Sequence, residues 1–219
     1  MDFQRARSEE QKQSRLDEIV RIASEIFDKE GFDNLNLTAI ADQAGFTRPA
    51  IYRYFPSKEA ILLRVMTEDF DEWSRGLTSS FDPERNYTID EITDIWASSN
   101  VTRERMLKLY SIFNTVIEKN LSVEALTEFE KSSIRSMRPV KELLYRLFPK
   151  ATEGQIKSFL DVQMAMVLGL YLMSHISKTH QEAAVLAYST TLIPGFESNY
   201  RNNLRYLLQS LEQSHATGE

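Results

Sequence analysis

Apolar side chains recur at intervals of three and four residues along nearly the whole chain, and no feature limits its fold more. Leu16, Ile19, Val20, Ala23, Ile26 and Phe27 set the pattern, which gathers the apolar residues on one face of an α-helix. No stretch alternates apolar and polar residues as a half-buried strand would. The expected fold class is all-α. At 219 residues the chain is long enough to bury a core without cross-links, and it has no cysteine to make one. Disulfides, thiolate zinc sites and cysteine catalysis are thereby excluded. Of three histidines, His175 and His180 lie five residues apart, about 140° on a straight helix, and do not converge on one metal. Neither a glycine-rich phosphate loop nor a nucleophile elbow occurs. The expectation is a chain with no enzyme activity, no metal and no cofactor.

Punctuation residues divide the pattern. Ser8 is a candidate cap for the first helix and Gly31 its stop. Thr38 is read as the cap of a short helix, Ala39 to Ala44, which Gly45 ends. Thr47 is read as the cap of Arg48 to Tyr54, with Pro49 in its first turn, where a missing N–H costs little. Ser57 caps a helix from Lys58 to about Leu77. Thr88 and Glu91 form a capping box that opens a helix to about Ala97. Further helices are expected from Thr102 to Lys119 and from Ser122 to Phe148, the latter kinked at Pro139. Three more follow: Thr152 to Ile176, Gln181 to Leu192, and Glu197 to Leu211, the last two parted by Pro194 and Gly195. The tail, 215–219, is expected to be disordered.

The most informative run is Thr38 to Tyr52: two short helices about Gly45, the layout of a helix-turn-helix, whose second helix enters the DNA major groove. Ile40, Ala41 and Ala44 give the first helix a small apolar face for a close crossing. Gly45 permits a positive φ, and Phe46 and Ile51 plug the angle. Arg48 and Tyr52, four apart, share a face of the second helix, with Arg53 adjacent. The net charge is −6, yet Gln43 to Lys58 holds Arg48, Arg53 and Lys58 and no acid. Binding to nucleic acid follows local charge rather than the total. Lys58, in the first turn of its helix, opposes the macrodipole unless an anion sits there, and phosphate is the usual one.

Ile22 to Phe27, Gly31-Phe32, Leu37 to Ala41, Ala44 to Thr47, Ile51 to Phe55 and Ser57 to Leu62 together resemble the tetracycline-repressor (TetR) family, over about residues 15–64. The resemblance implies a three-helix DNA-binding domain over 1–64 and a helical ligand-binding and dimerisation domain over 65–214. It implies that Thr47 bonds a DNA phosphate, that Arg48, Pro49 and Ala50 face base edges, that Tyr52 and Tyr54 touch the backbone, and that Lys58 holds a phosphate. Thr38 and Arg53 complete the expected DNA-contact set. It further implies a small-molecule effector, and the large residues Trp96, Met106, Tyr110, Phe113, Met137, Phe159, Met166 and Tyr171 are candidates to line its cavity. A homodimer is expected through the helix beginning near Gln155, with Phe159, Gln163, Leu170 and Tyr206 as candidate contacts.

The partners expected are a double-stranded, near-palindromic DNA operator, a second copy of the chain, and a small apolar effector. The expected function is ligand-released repression of transcription; the alternative is a helical protein-interaction module that does not bind DNA. No apolar run approaches the roughly 20 residues of a membrane span, and the polar stretch Met1 to Arg15 is no secretory signal. A cytoplasmic location without a membrane partner is expected.

Overall fold

The computed structural model of the protein describes residues 2–187 and 195–212. The expected tail at 215–219, the end of the helix expected from Gln181 to Leu192, and Pro194 lie outside the described residues. Those described are all-α: α1 (Asp2–Asn34), α2 (Leu37–Gln43), α3 (Arg48–Tyr52), α4 (Lys58–Ser79), α5 (Ile89–Val101), α6 (Glu104–Ile112), α7 (Val123–Leu147), α8 (Glu153–Ser174), α9 (Lys178–Leu186) and α10 (Phe196–Glu212). They fall into two compact units, one of Met1–Phe70 with Ile112–Ser133, the other of Asp71–Ser111 with Ile134–Glu219.

In the first unit the stripe read from the sequence is the core. Ile19, Ala23, Ile40, Ala41, Ile51, Ile61, Leu62 and Met66 are fully buried. α1 packs on α2, and α2 on α3. Gly31, the expected stop, takes φ 76° and ψ −178° within α1, a backbone region open essentially only to glycine. The cap of α2 differs from expectation. Asn36, not Thr38, accepts from the third N–H, that of Ala39, at 2.9 Å, and Thr38 sits inside the helix. Asn ranks above Thr as a cap, and both precede the apolar residues closely enough to compete.

The second unit is built on α5, α8 and α10, with α10 packed along both of the others. Capping boxes open α5, through Thr88 and Glu91, and α8, through Thr152 and Gln155. Glu91 accepts from the Thr88 backbone N–H, which holds its carboxyl below the ordinary value; the Arg85 guanidinium adds to this. The core is aromatic. Trp96 meets Trp73 edge-on at 6.4 Å and Phe159 at 5.2 Å, and Tyr171 stacks on His175 at 4.0 Å. A buried polar chain crosses this core: Asn100 Nδ2 donates to Tyr200 Oη at 3.1 Å, and Tyr200 Oη donates to Gln163 Oε1 at 3.0 Å. Arg201 pairs with Asp94 and Arg205 with Asp90, tying the outer faces of α10 and α5. Contrary to the sequence reading, α8 is long and apolar enough to span a bilayer by length and composition; its apolar residues are interrupted by polar ones, and here it buries Ile156, Phe159, Leu160, Gln163, Val167 and Tyr171.

The helix expected from Thr102 to Lys119 is broken. α6 ends at Ile112, and one wide π-turn (Phe113–Ile117) and one tight 3₁₀ turn (Glu118–Asn120) follow. The β-branched residues Ile112, Thr115, Val116 and Ile117 weaken the helix there, and the chain passes from one unit to the other at this point. α7 runs through Pro139 without ending.

Candidate nucleic-acid interface

The turn between α2 and α3 follows from the backbone needs of a helix end. Ala44 N donates to Ile40 O at 2.9 Å, and Phe46 N reaches back to Ala41 O at 2.8 Å. Between them Gly45 takes φ 66°. This is the Schellman arrangement, in which a left-handed residue just past the helix satisfies the orphaned carbonyls. The chain re-enters helix at Thr47, which is extended (φ −75°, ψ 152°) and whose hydroxyl caps nothing. α3 is held instead by backbone bonds from Ala50 N and Ile51 N to Thr47 O.

Ile51 anchors α3, at 0 % exposure against 56 % for its neighbour Tyr52. That single anchor sets which side faces out. Thr47, Arg48, Pro49, Tyr52 and Arg53 are exposed, while Ala50 and Tyr54 are half-buried. Tyr54 turns its ring edge-on to Phe46 at 5.7 Å, and the Arg15 guanidinium lies over the Phe46 ring, 5.1 Å from its centre. Phe46 is thus a half-buried platform rather than the full plug expected. Among the described residues no ion pair engages Arg48 or Arg53. Lys58 is differently placed. Its Nζ donates to Phe32 O at 2.9 Å and lies 3.9 Å from the Phe32 ring centre. A carbonyl at the end of α1 therefore meets part of the charge at the start of α4, and an ammonium keeps two further donors.

The candidate effector residues do not surround one space. Trp96, Met106, Phe159 and Tyr171 are buried, at 0, 3, 4 and 4 % exposure, and Trp96 and Phe159 pack on each other. Tyr110, Met137 and Met166 are half-buried. Phe113 belongs to the first unit, tilted against Phe129 at 5.3 Å. A groove of about 580 Å³ between α7 and α8 takes in Met137 alone of the eight; Lys141 and Tyr145 join it from α7, and Ile156, Leu160, Met164 and Leu168 from α8. Lys141 and Tyr145 were not among the residues singled out from the sequence; only their position beside α8 reveals them. Among the candidate dimer contacts, Tyr206 is exposed and Leu170 half-buried, but Phe159 and Gln163 point into their own unit. The large apolar residues exposed on α8 are Val162, Leu172 and Met173. Among the described residues no three His, Asp or Glu side chains come together as a metal site would need.

Residues 19–65 match the family model "Bacterial regulatory proteins, tetR family", and residues 67–215 match "Tetracyclin repressor-like, C-terminal domain". The chain is 35% identical over 75 residues to the HTH-type transcriptional regulator YdgC of Bacillus subtilis (strain 168), a match to 34% of this chain and 38% of that protein's length. It is 24% identical over 170 residues to the Fatty acid metabolism regulator protein of the same organism, covering 73% of this chain and 80% of that one. A solved TetR-family transcriptional regulator from Streptomyces coelicolor shares the fold, with a TM-score of 0.54 at 16% identity over 90% of this chain and 99% of that chain. With family models matched through both the α2–α3 hairpin and the helices beyond it, the chain belongs to the tetR family of bacterial regulatory proteins.

Proposed function

We propose that this protein is a cytoplasmic, ligand-released repressor that binds a palindromic operator as a homodimer, one α3 entering the major groove of each half-site. The observation that carries the reading is the outer face of α3. Its one apolar anchor, Ile51, is wholly buried, while Thr47, Arg48, Pro49, Tyr52 and Arg53 stand free on a segment with no acid between Gln43 and Lys58. Arg48, Pro49 and Ala50 would read base edges, with Arg48 suited to a bidentate guanine contact. The uncommitted Thr47 hydroxyl, Tyr52, Tyr54 and the remaining donors of Lys58 would hold phosphates, with Thr38 and Arg53 at the margin. The dimer would form across α8 and α10, using Val162, Leu170, Leu172, Met173 and Tyr206. A small, largely apolar effector would bind among α5 to α8; the groove beside Met137, and the kinship with a fatty acid metabolism regulator, favour a molecule with an apolar body. To release DNA it must bind the non-operator conformation more tightly.

Fluorescence anisotropy on operators selected from random DNA tests this. Binding should fall steeply with added salt, and Arg48→Ala should lose about 1–3 kcal/mol of base discrimination. Salt-insensitive or absent DNA binding would leave the protein-interaction alternative in its place.

A further inference from the structure

We infer that Arg15 is a positioning residue for base reading: lying over Phe46, it fixes the turn from which α3 starts, and it acts on DNA only through that ring. The inference rests on the DNA-binding reading above. α3 is unevenly held. Its buried side chain, Ile51, stands in its second half. Between Ala44 and Ile51 no side chain is buried; Phe46 and Ala50 are half-buried, and Thr47, Arg48 and Pro49 are exposed. The end of the helix assigned to base edges therefore has no buried anchor of its own, and a five-residue helix does not persist alone. Its placement is inherited from the residue before Thr47. That residue is Phe46, whose backbone N–H donates to Ala41 O at 2.8 Å.

Two residues hold the Phe46 ring. Tyr54, just past α3, meets it edge-on at 5.7 Å, so the residues before and after the helix touch and close the segment between them. Arg15, from α1, sets its guanidinium 5.1 Å from the ring centre, inside the roughly 6 Å within which a cation is drawn to an aromatic face. It stands one turn ahead of Ile19, which is fully buried in the same unit, so the arm that reaches Phe46 starts from a fixed base. Glu18 lies three residues on, at helical spacing for an ion pair. Among the described residues no ion pair engages Arg15; the guanidinium lies over the ring instead. Arginine suits a half-buried ring at a surface turn, because it covers an aromatic face while its charged edge stays in water. Arg48 is two residues past Phe46. A bidentate guanine contact needs two hydrogen bonds in one geometry, so a loosened Phe46 costs base reading first. Phosphate contacts carry no base information and should be spared.

The test uses the full-length protein with Arg15→Met, which keeps the arm and removes the charge, Arg15→Lys as the conservative variant, Phe46→Leu, and Arg15→Met combined with Phe46→Leu. Anisotropy is measured on the selected operator and on a random-sequence duplex over a series of KCl concentrations, with denaturation midpoints alongside. Arg15→Met should weaken operator binding about two- to fivefold, the worth of an exposed cation–π contact. Its affinity for the random duplex, its salt slope and its midpoint should match the parent's, so that the specificity ratio narrows by the same factor. Arg15→Lys, still a cation, should keep most of the operator affinity. In the Phe46→Leu background Arg15→Met should lose nothing further. An equal loss on both duplexes would overturn the inference, with a shallower slope marking a phosphate contact and a lowered midpoint a merely structural role. So would an operator loss that persists without the Phe46 ring, or no loss at all; with Arg48→Ala still losing base preference, the repressor reading would stand in each case. If the parent protein itself binds no DNA in a salt-dependent way, both fail.

Discussion

Tyr200→Phe removes one oxygen atom from the buried polar chain that links α5, α8 and α10, and the structure sets what that costs. Tyr200 is 0 % exposed. Its hydroxyl accepts from Asn100 Nδ2 at 3.1 Å and donates to Gln163 Oε1 at 3.0 Å. Burial pushes the phenol far above its ordinary pKa, so it serves throughout as a neutral donor and acceptor. Without it, Gln163 Oε1 loses that donor. Asn100 keeps its second bond, to Trp96 O at 3.2 Å, and is left with one unpaired N–H. An orphaned buried group costs about 1–3 kcal/mol, and partial relaxation of the two should leave a loss of about 2–4 kcal/mol. In urea, with a slope of about 1–3 kcal/mol/M, the midpoint should fall by roughly 1–2 M at fixed protein concentration, with the slope unchanged. Adding Gln163→Met, which makes the other end of the bond apolar at similar volume, should recover part of the loss, since removing both partners is far cheaper than removing one. A loss under about 0.5 kcal/mol, the size of an ordinary surface change, would refute the reasoning, as would strict additivity in the double variant.

The two left-handed glycines should respond differently to substitution, although neither site has an atom in the way of a Cβ. Gly45→Ala should cost about 1–2 kcal/mol and Gly45→Asn less, because Asn tolerates the αL region; at Gly31, where ψ is −178°, Gly31→Asn should do no better than Gly31→Ala, and thermal melts of the four variants decide it. Ile51→Ala should cost about 2–5 kcal/mol and weaken operator binding without touching DNA; unchanged denaturation would mean that α3 is not anchored as described. Glu91, its carboxyl held below the ordinary 4.5, should stabilise α5 above that pH and lose the effect as pH falls through its folded-state value. The stability difference between the parent and Glu91→Gln should therefore be present at neutral pH and vanish on acidification, and a difference that persists in acid would count against the charged capping box.

What could be read from the sequence followed the range of the interactions. The capping box at Thr88 spans three residues and was legible as written, as was the stop at Gly31; at Thr152 the start of the helix was read, but not the return contact from Gln155. Asn36 was passed over because Thr38 lies two residues on and offers the same chemistry. The break after Ile112 carries neither glycine nor proline, and its periodicity stays helical, so nothing local announced it. Large apolar residues were legible as interior, but sequence does not separate a core from a cavity lining: Trp96 and Phe159 fill the space they were expected to border. Nor does it give helix rotation. Gln163 looked like an interface polar group and is instead a buried acceptor for a tyrosine 37 residues away, a distance that no local rule spans.

Lys58 has a consequence for how the reading helix opens. Its ammonium grips the Phe32 carbonyl 26 residues earlier, so α2, the turn and α3 hang as a closed loop between two fixed points. A five-residue helix such as α3 does not persist alone, and tethered at both ends it has little scope to fray one residue at a time. Amide exchange at Ile40, Ala44 and Ile51 should then report one shared opening free energy rather than a gradient. The hairpin would behave as a single latch, shut or released as a whole.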